Sequence, residues 1–100
     1  MAKQKIKDLT REIDIHIEEL VDSYKNLTNY EIMSIQLERF EKELQFCMSN
    51  GIKKLIVIHG VGNGKLKQEV LSVLKTVEDI EFFDASYKEY GYGATEVRIY

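Results

Sequence analysis

The sequence predicts an α/β domain, a two-layer sandwich in βαβαββ order with two main helices on a mixed sheet of about four strands. Three observations carry this. Isoleucines alternate with polar residues from Glu12 onward, two later segments place apolar residues at helical spacing, and a β-branched run lies between those segments.

Ile13, Ile15 and Ile17 alternate with Glu12, Asp14, His16 and Glu18, the period of a strand with one buried face; Asp14 and His16 then share the other face. Ile17 to Val21 either extends the strand or makes a short helical turn, and Asp22 to Thr28 reads as loop. Thr28 and Glu31 form a capping box, since the hydroxyl accepts from the Glu31 amide while the carboxylate reaches back. The helix that follows carries Met33, Leu37, Phe40, Leu44 and Cys47 on one stripe and stops at Asn50-Gly51. Lys54 to Ile58 reads as a central strand covered on both faces. A second helix starts near Lys65 and buries Leu66, Val70, Leu74 (or Val73) and Val77. Ile80 to Ala85 and Ala94 to Tyr100 are the remaining strands. Strand–helix–strand units cross over right-handedly, so the first strands are expected to run parallel, and the last two can be antiparallel. With two helices, one sheet face can stay partly open, although adjacent Phe82 and Phe83 point to opposite faces and argue that both are partly covered there.

A chain of 100 residues suits one domain and one site region. Residues 1–11, Lys-rich and poor in apolar side chains, are expected to be a flexible tail or linker remnant ahead of a domain over 12–100. The net charge of −3 argues against coating nucleic acid by bulk electrostatics. It is unevenly distributed, however: residues 1–50 carry −3, residues 51–75 carry +4 and residues 76–100 carry −4, so the basic stretch coincides with a glycine-rich loop. Cys47, the single cysteine, excludes an internal disulfide and reads as a core thiol, and no Cys/His spacing indicates a zinc site. The longest aliphatic run, Leu55 to Ile58, is far short of the roughly 20 residues of a membrane span or the roughly 7–15 of a signal-peptide core. No membrane partner is expected, and the expected compartment is the cytoplasm.

Three segments can carry chemistry. In His59-Gly60-Val61-Gly62-Asn63-Gly64, the glycines allow positive φ and close backbone approach, and Lys65 and Lys67 stand in the first turn of the next helix, a place that suits phosphate. Taken alone this is equally a tight connection, since it matches neither the Walker loop nor the dinucleotide fingerprint. Asp14 and His16 lie at the carboxyl end of the first strand, the edge at which open α/β sheets bind ligands. An imidazole there can exchange protons near neutral pH while a carboxylate fixes its tautomer. Alone, they are ordinary polar residues on a strand. Tyr87 to Thr95, rich in tyrosine and glycine, can stack bases or simply pack a turn; its acidic flank favours the structural role.

In this order the segments resemble the Smr (small MutS-related) domain family. Ile13-Asp14-Ile15-His16 resembles its L-D-x-H motif, His59 to Gly64 matches H-G-x-G-x-G at every fixed position, and Tyr90-Gly91-Tyr92-Gly93-Ala94-Thr95 resembles its late glycine-rich turn into the last strand. The resemblance covers residues 12–100. It implies a two-layer α/β sandwich, similar to the C-terminal domain of a bacterial translation initiation factor, that binds branched or structured DNA or RNA; several members are DNA-nicking or RNA-cleaving endonucleases. By that resemblance Asp14 and His16 form the candidate catalytic pair. His59, Gly60, Gly62, Asn63, Gly64, Lys65 and Lys67 form the candidate nucleic-acid-binding set. No cofactor is required by the motifs; Mg2+ is the one to test, since Asp14, Glu18 and Glu19 either coordinate it through water or are simply solvated. The sequence most resembles a bacterial branch in which this domain ends a longer protein, so the remainder of a longer chain is expected N-terminal to it. Ile17 stands where many members have glycine. The alternative reading is a non-catalytic interaction module that binds structured nucleic acid or a protein partner.

Overall fold

The computed structural model describes residues 10–100. Its elements are β1 (Thr10–Asp14), α1 (Ile17–Leu20), α2 (Asn29–Ser49), β2 (Lys54–Ile58), α3 (Lys65–Leu74), β3 (Ile80–Asp84), α4 (Tyr87–Tyr90) and β4 (Ala94–Ile99). One four-stranded mixed sheet has the order β1-β2-β4-β3. β1 and β2 run parallel, and β4 lies antiparallel to both β2 and β3. The α/β sandwich expected from the sequence is therefore present, with β4 slotted between β2 and β3. The expected tail over 1–11 falls outside the described residues except for Thr10 and Arg11, which already belong to β1.

The register explains the two faces. Ile13 and Ile15 of β1 (and its extension), Leu55 and Val57 of β2, Val97 and Ile99 of β4 and Phe82 of β3 share one face, which packs against Phe40, Leu44 and Cys47 of α2 and Val70 and Leu74 of α3. Each fully buried aliphatic or aromatic side chain there contributes about 1.5–3 kcal/mol. The α2 stripe is the one its spacing predicts from Leu37 to Cys47, with Met33 outside the core, and its start carries the full capping box, with the Thr28 hydroxyl accepting from the Glu31 amide (3.1 Å) and the Glu31 carboxylate from the Thr28 amide (2.8 Å). On α3, Leu74 is fully buried and Val73 half-buried. Ile17 to Leu20 forms the short helix, not a longer strand, and Ile17 is buried.

Among the described residues, α4 is the one helix over the opposite face. Ile56, Ala85 and Ala94 are buried there with Ile58 and Tyr90 packed against them, and the Tyr90 hydroxyl donates to Glu12 (2.5 Å), a bond that pushes its pKa up to about 12. Phe83 is the less covered of the pair: it is 43 % exposed, with the Arg98 guanidinium 5.5 Å from its ring centroid, and Tyr90 of α4 packs on the Ile56, Ala85 and Ala94 cluster, to which Phe83 does not belong. A cation over an aromatic face replaces the apolar cover that the Phe82-Phe83 pair led one to expect.

One polar feature inside the helical layer escapes hydrophobic periodicity. Glu43 is 3 % exposed, yet its carboxylate accepts from Arg11 (2.7 Å) and Arg39 (2.9 Å). Burial raises its pKa, but the two guanidiniums outweigh burial and hold it below the ordinary carboxylate value. The same burial, with Glu43 nearby, pushes the Cys47 thiol up to about 11, so it stays protonated and packs as a core residue. Because the folded-state pKa of Glu43 lies below the unfolded value of about 4.3, its contribution is full above that pH and is lost as pH falls through the folded value. Glu43→Ala is expected to lower the unfolding free energy by about 2 kcal/mol at neutral pH, short of the 3–5 kcal/mol for wholly buried pairs, since both arginines reach water. Urea denaturation at neutral pH and near pH 3.5 checks this: the variant's deficit should shrink at the acid end. An unchanged midpoint at neutral pH contradicts it.

Candidate functional site

Parallel pairing of β1 and β2 puts Asp14 opposite Ile58 and brings the ends of both strands to one sheet edge. The chain leaves β1 with the Ile15 amide still bonded to the Ile58 carbonyl (2.9 Å), and the Gln36 side chain of α2 donates to the Ile15 carbonyl (3.0 Å). This pins the turn that carries His16. Asp14 Oδ1 accepts both the His16 backbone amide (2.9 Å) and ring Nδ1 (2.6 Å). A carboxylate only accepts, so Nδ1 carries a proton, and in the neutral tautomer this leaves the lone pair on Nε2. Both side chains remain two-fifths or more exposed.

Nε2 faces the glycine loop. A Cβ built on Gly60 would lie 2.5 Å from it, so the ring occupies the space that any side chain at 60 would need, and φ at Gly60 is +79°. On its other side Gly60 meets Gly93, where a Cβ would come within 3.2 Å of the Gly60 Cα. The Gly93 carbonyl accepts from both the His59 and Gly60 amides, each at 2.9 Å. The three segments singled out in the sequence thus meet at Gly60.

His59 is 5 % exposed and fully engaged. Its Nδ1 donates to the Gly60 carbonyl (2.8 Å), and Nε2 accepts from the Thr95 hydroxyl (2.9 Å). Burial lowers its pKa, and the Lys67 charge adds to that against the Gly60 bond, which favours the cation. The ring is a neutral brace between loop and β4. Beyond it, Gly62 and Asn63 are exposed, the Gly64 amide is bonded to the Val61 carbonyl (3.1 Å), and Asn63 Oδ1 accepts the Lys65 amide (3.0 Å). Two of the loop donors that the sequence offers for phosphate are therefore committed internally. The Leu66 and Lys67 amides follow as first-turn donors without helical acceptors.

The basic stretch divides between opposite ends of the sheet. Lys53 and Lys54 stand at the start of β2, and Lys75 follows the end of α3, so only Lys65 and Lys67 reach the loop edge. Lys67 is tied to Asp84 (2.8 Å), while Lys65 is exposed. Asp14, Glu18 and Glu19 do not assemble into a metal cluster: among the described residues no group of three or more His, Cys, Asp or Glu is placed to hold an ion.

Between the starts of α2 and α3 lies an open cleft of about 930 Å3, lined among others by Tyr30, Met33, Leu37, Gly62, Asn63 and Lys65. Its α2 wall was not read from the sequence. Tyr30 is 81 % exposed on the polar side of that helix, where a lone aromatic gives no periodic signal.

A model of the Smr domain family matches residues 31–100. The chain belongs to the Smr domain family. The match takes in the His59–Gly64 loop and the late glycine turn, and begins beyond Asp14 and His16. Endonuclease MutS2 of Aquifex aeolicus is 44 % identical over 62 residues, which are 61 % of this chain but 8 % of that protein's length. The crystal structure of the Smr domain of Thermus thermophilus MutS2 superposes with a TM-score of 0.69 at 25 % identity, over 90 % of this chain and 98 % of that one. The fold of this Smr domain is thereby shared along more of the chain than the family model matches. No helix among the described residues is long and apolar enough to cross a membrane.

Gly60→Ala tests the meeting point. It adds left-handed backbone strain of about 1–2 kcal/mol and displaces the His16 ring from Asp14. Gly62→Ala, where a Cβ meets nothing within 4 Å, adds only backbone strain. Urea denaturation with NMR of the His16 ring protons should show the larger destabilisation in Gly60→Ala, and a shifted His16 environment in that variant alone. Identical ring spectra in both would contradict the packing described.

Proposed function

We propose that this Smr domain binds structured nucleic acid at the edge formed by the glycine loop and cleaves a phosphodiester there, with Asp14 and His16 as its proton-transfer pair. One observation carries the reading: His16 is oriented through Nδ1 by Asp14 while its Nε2 sits against Gly60 of the loop. A base held by a carboxylate beside a phosphate-suited loop is what hydrolysis of a phosphodiester uses.

In this mechanism Nε2 takes the proton of the attacking water or 2′-hydroxyl, whose oxygen forms the new bond to phosphorus as the P–O bond to the leaving sugar oxygen breaks; Asp14 stabilises the imidazolium, which then returns its proton, directly or through water, to that leaving oxygen. The exposed Gly62 and Asn63 backbone, the first-turn amides of α3 and the Lys65 ammonium hold the phosphate and meet its developing charge. His59, Gly60 and Gly93 shape the loop without touching the phosphate, and Lys67 contributes little while Asp84 neutralises it. Ile17, in place of the glycine common in relatives, packs into the core after His16 and leaves the Asp14–His16 bond intact. Magnesium enters this reading only as an assay variable. The 8 % share of the longer relative supports a role as the nucleic-acid-contacting part of a larger protein.

With so few free cations at the edge, binding should be modest and fade early as salt rises. A non-catalytic binding module is the second reading, favoured by the exposure and shallow setting of the Asp14–His16 pair. Endonuclease assays on branched DNA and structured RNA, with and without Mg2+, separate the two. His16→Ala should reduce cleavage by roughly 10²–10⁴-fold with binding retained, and Lys65→Glu should weaken binding. Cleavage at wild-type rate by His16→Ala removes the catalytic assignment, and wild-type binding by Lys65→Glu removes the phosphate site.

A further inference from the structure

Two large aromatic side chains stand outside everything the fold requires. Tyr87 opens α4 and Tyr92 lies in the turn after it; they are 65 % and 67 % exposed and belong to neither hydrophobic cluster. Their rings support each other, with centroids 4.7 Å apart and planes tilted by 53°. The packing of α4 onto the sheet and its bond to Glu12 are both supplied by Tyr90. The turn itself is made by Gly91, at φ +64°. The structural role expected for this segment thus falls to Tyr90 and Gly91, and leaves Tyr87 and Tyr92 as an apolar patch of preset shape in water.

The position of the pair gives that patch a partner. Tyr92 directly precedes Gly93, whose carbonyl holds the His59 and Gly60 amides and whose Cα lies against Gly60. Backbone bonds therefore fix the pair to the same edge as His16 and the glycine loop. The charge around it does not attract phosphate: Lys88 is offset by neighbouring Glu89, and Asp84 engages Lys67. An uncharged ring face in neutral surroundings suits the base of a nucleotide, not its phosphate. Within continuous duplex both faces of a base are already stacked, so only an unpaired nucleotide presents a free face beside the loop.

We propose that Tyr87 and Tyr92 form a stacking platform for one unpaired base of the nucleic acid held at the glycine loop. The domain thereby selects gaps, overhangs or single-stranded junction arms over continuous duplex. This rests on the nucleic-acid reading of the loop edge and adds to it the class of substrate.

The test compares the wild-type chain with Tyr87→Leu/Tyr92→Leu by fluorescence anisotropy at fixed low salt. The probes are a blunt duplex and the same duplex carrying a short single-stranded gap. Wild type should prefer the gapped probe, and the double leucine variant should lose roughly 10-fold on it, equivalent to about 1.4 kcal/mol, while holding its affinity for the blunt one. Tyr87→Phe/Tyr92→Phe keeps the rings and should keep the preference. The chain has six tyrosines and no tryptophan, so quenching of tyrosine emission by the gapped probe, diminished in the leucine variant, is a direct readout. Equal affinities of wild type and leucine variant for the gapped probe overturn the platform while leaving the loop reading in place. Absence of wild-type binding to both probes overturns the loop reading and the platform together.

Discussion

Beyond the carboxyl end of β2, a glycine of the loop that follows it and a glycine just before β4 touch backbone to backbone. Gly93 can approach Gly60 this closely because neither has a side chain, and its carbonyl gathers two amides from the opposite segment. The space left on the other flank of Gly60 is filled by the His16 imidazole. A side chain at either glycine would separate β4 from the loop or push His16 from Asp14. The Asp14–His16 pair, the glycine loop and the tyrosine turn are thus held in one arrangement by the absence of two Cβ atoms, with the His59 ring as a brace to Thr95.

Charge at this edge is sparing. The chain is acidic overall, and the lysines of its basic stretch are shared between both ends of the sheet, with Lys65 the exposed one beside the loop. Under the proposed function, attraction of nucleic acid comes from geometry more than from bulk potential: helix-start amides, one ammonium and ring faces. Such a surface discriminates shape better than it accumulates affinity.

Much of this was legible because it is local. The α2 stripe from Leu37 to Cys47, its capping box, Ile13 and Ile15 of the alternating isoleucines and the run of β2 each depend on neighbours within a turn or two, and the structure bears them out, while Ile17 opens α1 and Met33 lies outside the core cluster. What depends on contacts distant in sequence was not. Glu43 reads as one more polar helical residue until Arg11, 32 positions away, is placed beside it. The entry of β4 between β2 and β3 follows from pairing that no periodicity encodes. Phe83 follows the strand alternation, but which face stays open depends on where helices end up. Segment counting located the basic stretch without revealing that a strand and a helix carry its lysines to opposite edges. At the site, the motifs named the convergent residues, while the engagement of His59, the Gly64 and Lys65 amides and Lys67 emerged only from their partners.

The central claim is that nucleic acid engages the Gly60 edge. Amide chemical-shift mapping of the labelled chain on titration with a gapped duplex addresses it most directly. The largest shifts should fall at residues 14–16, 59–67 and 87–93. Shifts centred instead on Lys53, Lys54 and Lys75, at the opposite end of the sheet, would contradict the account.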